Sequence, residues 1–366
     1  IGVSMKTVAY IMPLVLFLSI AAAQGRKEVR RPMPEKSPAQ KADEGIIWGS
    51  TFADYSYVAQ AEDATQKGNN DFGFRRIYLG YDQSFSEHFA AQVLLEADQF
   101  DTDSTGSLNF FVKHAYIEWK DLVPLSSISF GLSQTPSMSL SEKIWGYRSL
   151  EKVILDRHGL VASSDMGAGI KGSMVSDGSI GYAVMVGNGA GTKVENDKFK
   201  KIYGEFYFDL MKGGVFELYG DYENTPTSQP RMTGKGLFGY QSPEASFGLE
   251  GFYRKIQNGS FSAPGVQADS NLAGGSIYTS FHIAENLRAV LRGDYYDADL
   301  SVTSAGFRET FGIAGIDYSP GKGVDVIPNV LYTHLLYKNK QPSDPSLVDD
   351  ITVRLTVAYA FSARVL

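Results

Sequence analysis

The densest set of side chains able to do chemistry lies in residues 136–164, PSMSLSEKIWGYRSLEKVILDRHGLVASS. There Lys143, Arg148, Lys152 and Arg157 interleave with Glu142, Glu151 and Asp156. Opposite charges on one short segment make a transverse field that acts on passing ions and dipoles, with no nucleophile among them. The five histidines (His88, His114, His158, His282, His334) are scattered, without the paired spacing of a metal site. The chain has no cysteine, which excludes a thiolate nucleophile, a thiolate zinc site, an iron–sulfur cluster and a disulfide framework. The glycine-rich run 187–192 (GNGAGT) lacks the spacing of a phosphate-binding loop and reads as a turn. No serine sits in a nucleophile elbow. The expectation is a protein with no catalytic residue, metal or cofactor. A formal net charge of −7 also argues against nucleic acid as a partner.

The elements that must position those charges follow from the rest of the chain. Residues 7–20 (TVAYIMPLVLFLSI) are apolar, Lys6 precedes them and Ala21-Ala22-Ala23 follows, the pattern of a secretory signal peptide over 1–23. Residues 24–45 are polar, hold six basic and four acidic side chains, and read as a disordered periplasmic tail. From Ile46 onward the chain carries 27 basic and 37 acidic residues and no apolar run long enough for a membrane helix.

Strand patterns recur instead. In 351–361, Ile351, Val353, Leu355, Val357, Tyr359 and Phe361 share one face, while Thr352, Arg354, Thr356, Ala358 and Ala360 share the other. Sixteen such runs can be marked, near 46–60, 72–85, 88–99, 108–120, 126–135, 165–175, 178–188, 199–211, 214–223, 232–241, 245–257, 271–283, 286–297, 308–319, 323–337 and 349–362. Many exceed ten residues, which suits tilted membrane strands. Long and short connections alternate along the chain, as in outer-membrane barrels, whose turns are short on the periplasmic side and whose loops are long outside. One face of the runs carries aromatics near strand ends, Tyr55, Tyr81, Tyr253, Tyr295, Tyr359 and Phe361 among them, as an interfacial belt requires.

The fold expected for residues 46–366 is therefore all-β, a 16-stranded antiparallel transmembrane β-barrel wide enough for a water-filled lumen. Its inner face holds eight basic residues, including Arg76, Lys171, Arg288, Arg292 and Arg354, against eleven acidic ones. The alternation is ambiguous in the fifth, fourteenth and fifteenth strands. Residues 136–164 form the third and longest of the outer loops. Helical spacing around 149–157 predicts that Leu150, Val153 and Ile154 pack on the inner wall. Lys143, Arg148, Glu151, Lys152, Asp156 and Arg157 would then face the lumen as its constriction.

Residues 147–152 (YRSLEK), 155–157 (LDR) and 165–171 (DMGAGIK) resemble the third-loop region of the phosphate-selective porin O and P family. Pro328-Asn329 and 314–318 (AGIDY) extend the likeness over most of the chain from Ile46 to Phe361. The resemblance implies a trimeric sixteen-stranded porin whose third loop folds inward and whose basic side chains bind phosphate. Gln134 stands where many relatives carry a lysine, and the lumen census is acidic. The expected activity is thus passive diffusion of small hydrophilic solutes and ions across the outer membrane of a Gram-negative-type cell. The expected partners are outer-membrane lipid, those solutes and two further copies of the chain. The alternative is an anion- or phosphate-selective channel.

Overall fold

The computed structural model describes residues 44–102, 107–263, 266–300, 306–338 and 349–365. The expected leader (1–23) and nearly all of the expected tail (24–45) lie outside the described residues. Sixteen strands follow in chain order: β1 (Glu44–Gln60), β2 (Asn70–Ser84), β3 (Phe89–Thr102), β4 (Leu108–Lys120), β5 (Ser126–Gln134), β6 (Ser164–Ser173), β7 (Ile180–Gly187), β8 (Lys201–Met211), β9 (Gly214–Glu223), β10 (Arg231–Gln241), β11 (Ala245–Ala263), β12 (Val266–Ala284), β13 (Leu287–Asp297), β14 (Phe307–Gly321), β15 (Val324–Tyr337) and β16 (Asp350–Val365). Each pairs antiparallel with its chain neighbours, and β1 pairs with β16, so the sheet closes into the expected barrel. Closure removes the edges that hydrocarbon could not tolerate, because no water there satisfies a bare N–H or C=O.

Boundaries lie within three residues of those expected except between β11 and β12. β1 begins at Glu44, two residues inside the stretch read as tail. The expected connection 258–270 is largely a hairpin extension, with Ser260 opposite Ala268 and a register shift between Ile256 and Ser260. Its Ser, Asn, Gln and Gly residues carry no apolar alternation, so a ladder held by backbone pairing leaves little mark in the sequence.

The pleat sorts the side chains. In β16, Val353, Leu355, Tyr359 and Phe361 are exposed on the outside while Arg354, Thr356 and Ala358 are buried inside. The belt residues Tyr55, Tyr81, Tyr253 and Tyr295 are exposed in the same way. An outer wall so continuously apolar is stable against lipid and not against water. Two of the three ambiguous strands resolve: Glu309, Phe311, Ile313 and Asp317 of β14 and Asp325, Ile327 and Asn329 of β15 are buried on the inner side.

The inner wall is less polar than the sequence suggested. Tyr203, Tyr219, Leu237, Phe252, Tyr278, Val290, Tyr296, Phe311, Ile313 and Ile327 form one buried cluster with Met138, Ile144, Trp145, Tyr147, Leu150, Val153, Ile154, Leu155 and Val161 from the β5–β6 connection. That connection holds two short helices, α1 (Ser139–Trp145) and α2 (Ile154–Arg157). Helix therefore covers the last turn of the expected 149–157 segment and, unexpectedly, residues 139–145. Gly146, at φ 68°, ends α1 in a conformation that suits glycine.

Candidate functional site

The β5–β6 connection enters the barrel and comes back. Lys235 of β10 donates from Nζ to Ser137 O (2.7 Å) and to Ser141 Oγ (2.8 Å). Nearer the short-turn end of the same strand, Gln241 donates to Lys143 O (2.7 Å), so α1 descends along β10. Tyr147 OH then reaches Asp317 of β14 (2.9 Å), whereas Arg157 pairs with Glu309 of that strand. Those two anchors are eight residues apart on one strand, roughly 27 Å along it at the ordinary strand rise. Across the lumen from β10, eight strands away round the closed sheet, Arg148 Nε donates to Tyr78 OH of β2 (3.1 Å), and Arg354 of β16, two strands from β14, donates to Leu150 O (2.7 Å). The segment thus touches β2, β16, β14, β13, β11 and β10, which follow one another round half of the barrel's circumference.

Wall cations reach its main chain repeatedly. Arg292 donates to Lys152 O (2.7 Å), and Arg75 and Arg254 donate to Leu150 O and Leu160 O. Trp145 Nε1 donates to Glu151 O (2.8 Å). With the carbonyls of residues 150–152 captured from outside, the i→i+4 bonds of a helix through this stretch do not form. Val153 is accordingly extended (φ −64°, ψ 158°). Leu150, Val153 and Ile154 bury as expected, at 0%, 2% and 0% exposure.

The six loop residues singled out in the sequence separate into different environments. Arg148 is buried between Glu142 and Asp156, the latter at 2.9 Å. Burial opposes its charge, but Glu142, Tyr78 and Asp156 hold the guanidinium well above its ordinary pKa. Glu151 lies 3.4 Å from Arg75. Burial raises its pKa, yet Arg75 and the Lys152 N–H outweigh that and keep the carboxyl below its usual range. Asp156 is likewise lowered, with Arg148 and Lys152 overcoming burial. Arg157 lies 3.8 Å over the Phe311 ring besides pairing with Glu309. Lys152 reaches Asp156 only at 3.8 Å, and its side chain is 32% exposed. Burial lowers its pKa and Asp156 restores part of the loss. Lys143 is exposed, at the short-turn end of the segment.

The wall residues divide too. Arg76 pairs with Glu96 (3.0 Å) and Asp98 (3.7 Å). Arg288 donates to Pro243 O (3.1 Å), at a short turn, and Arg292 forms a two-bond pair with Asp294 (2.7 and 2.8 Å). Arg354 donates to Asn329 (3.1 Å) as well as to the loop. Lys171 bonds Glu118 (3.1 Å) and stays 55% exposed. These five are therefore not brought together into one ring.

Sequence reasoning missed Arg75 and Lys113. Strict alternation sends one member of Arg75-Arg76 and of Lys113-His114 outward. In β2 the register slips so that Phe52 faces Arg76 and Ala53 faces Phe74, leaving Arg75 unpaired in a bulge. In β4 the same happens between His114 and Val112, leaving Lys113 in the bulge. A β-bulge re-aims one side chain, so both neighbours turn inward. Lys113 consequently meets Glu96 at 3.1 Å and Ser163 at 2.8 Å. The signal was available: two adjacent cationic or polar residues in the lipid-facing part of a strand favour such a bulge, because a charge toward lipid is costly.

No family model matches the chain, and no curated protein matches it. Solved structures do. An anion-selective porin from Comamonas acidovorans aligns over 87% of this chain and 100% of its own, with TM-score 0.64 and 12% identity. OmpT of Vibrio cholerae, in-vitro folded and in trimer form, aligns over 87% and 100% with TM-score 0.57 and 12% identity. The outer membrane channel DcaP of Acinetobacter baumannii aligns over 89% and 99% with TM-score 0.59 and 14% identity. The fold is that of the outer-membrane porins. Together with the apolar outer wall, that porin fold makes the outer membrane the compartment for which the barrel is built.

Proposed function

We propose that this porin-fold chain lets small hydrophilic solutes and ions diffuse passively across the outer membrane, with residues 136–163 as the constriction. The carrying observation is that this one segment is tied to opposite walls, by Arg148 to Tyr78 on β2 and by Ser137 and Ser141 to Lys235 on β10, eight strands away round the closed sheet. A segment so placed sets the width of whatever passage remains beside it. Most of its charges are held by opposite charges, which makes a field across the passage without a deep trap for either sign. Lipid surrounds the barrel, solutes are transient occupants, and three copies assemble, in keeping with the trimer form among the similar structures.

The specific observation that favours a second reading is the cluster of Arg76, Lys113, Arg148 and Lys152 on one side of the segment. With the third-loop motifs that resemble phosphate-selective porins, and an anion-selective porin among the structural neighbours, it supports an anion-selective channel. Planar-bilayer recording separates the two. A general porin gives conductance proportional to salt and a small reversal potential in a potassium chloride gradient. Conductance that saturates at low salt, with strong anion preference, would decide for the second reading. Purified trimer that conducts no current would overturn both.

A further inference from the structure

We propose that Lys152 is the residue that sets the ion selectivity of the constriction, while the cations around it position the segment. This rests on the porin reading above. The distinction comes from what each cation touches. Arg292, Arg354, Arg254, Arg75 and Lys235 donate to the main chain of residues 137–160. Groups engaged with carbonyl oxygens hold the segment in place and have fewer donors left for a passing ion. Arg148 sits between two carboxylates and a tyrosine hydroxyl, and its side chain is 6% exposed. Arg157 is covered by Glu309 and the face of Phe311. Arg76 and Lys113 share Glu96, at 3.0 and 3.1 Å, with side chains 6% and 14% exposed.

Lys152 differs in all these respects. Its carbonyl is fixed to the inner wall by Arg292, so its exposed surface lies inside the barrel. Among the described residues one carboxylate lies within ion-pair distance of its ammonium, Asp156, at 3.8 Å and already shared with Arg148 at 2.9 Å. About a third of the side chain remains open. A flexible four-carbon stem lets that charge follow an ion, which a guanidinium clamped between carboxylates cannot do. Two other inward lysines are also exposed, Lys143 and Lys171. Lys143 accompanies Gln241, and Lys171 pairs with Glu118 on the strands that approach the short turns. Both stand toward the short-turn mouth of the barrel, away from the stretch 148–157 where the cations gather, and water screens their exposed side chains there.

The test is reversal potential in planar bilayers at low ionic strength, comparing wild type with Lys152→Gln, Lys152→Arg, Lys143→Gln and Lys171→Gln. A unit charge about 4 Å from an ion in water-like dielectric shifts its partitioning about fivefold. Because one charge acts in opposite senses on anions and cations, Lys152→Gln should lower the anion-to-cation permeability ratio by up to about 25-fold, the square of that factor, with the effect shrinking in concentrated salt. Lys152→Arg should keep the ratio, and the two mouth variants should leave it within a fraction of wild type. Wild-type protein without conductance overturns the porin reading and this assignment with it. Conducting Lys152→Gln channels with the wild-type ratio overturn the assignment alone. So does an equal shift in either mouth variant, since selectivity would then follow total lumen charge.

Discussion

At the residue scale, the charges that looked equivalent in the sequence do different work. Arg148 is a latch. It is buried, its guanidinium bridges Glu142 and Asp156, and Tyr78 receives its Nε–H. Breaking one side of a buried ion network leaves the other charges stranded at a cost of about 3 kcal/mol or more. Arg148→Gln should therefore loosen residues 136–163 while the strand ladder, which does not depend on them, stays closed. Protease cleavage within the segment should rise by about a hundredfold, the change in local opening that such a cost implies. Cleavage at the wild-type rate would show that the apolar cluster alone seats the segment. Lys152, with looser partners, should tolerate Gln without this effect, which is why its substitution reports on the field and not on the fold.

At the scale of the element, the segment between β5 and β6 is a polar and apolar sandwich inside a barrel. Its carboxylates Glu151 and Asp156 are held below their ordinary pKa, and burial together with Arg157 lowers that of His158 to about 4. His158 stacks on Tyr296 at 3.9 Å between ring centres. A base whose pKa falls on packing binds fewer protons when seated than when released. Stability of the seat is then full above the free value of about 6.5 and falls as pH drops toward about 4. The two carboxylates act in the same direction at lower pH, because their seated forms also resist protonation. Acidification from neutrality should thus increase closures and noise in single-channel records across that window, and His158→Gln should remove the upper part of the change. A wild-type record indifferent to pH would contradict this. Strand existence and the inward and outward faces were legible because lipid on one side and charges on the other enforce alternation. The seat of this segment was only half legible. Leu150, Val153 and Ile154 stood out by spacing, but the wall partners that capture its carbonyls come from strands up to 204 residues away, as Arg354 does for Leu150. The bulges carrying Arg75 and Lys113 were hidden by the same assumption of strict alternation that revealed the strands.

At the scale of the whole molecule, one seam decides whether the barrel exists as a barrel. β1 and β16 are farthest apart in the chain and must find each other to abolish the last two edges. The strand pattern in the sequence takes β16 to about residue 362, just past the aromatic Phe361. The strand continues to Val365, where Ser362, Ala363, Arg364 and Val365 pair with Trp48, Ile47, Ile46 and Gly45. Arg364 adds an ion pair to Glu44 at 3.0 Å. Phe361 itself lies over Gly49, where a methyl group would come within 2.5 Å of the ring, so glycine there makes room for the aromatic. Deleting residues 362–366 would strip the backbone partners from the first turn-side residues of β1 on this side, while their pairing with β2, from Glu44 opposite Ser84 onward, would remain. Unpaired N–H and C=O groups facing lipid are costly one by one. The truncated chain should therefore assemble in lower yield and lose its compact, fast-migrating form on heated gels at a lower temperature than wild type. Phe361→Ala should give a smaller shift, since it removes a ring and leaves every ladder bond. Equal heat resistance in the truncated and full chains would mean that closure is complete at Phe361 and that residues 362–365 add nothing to the seam.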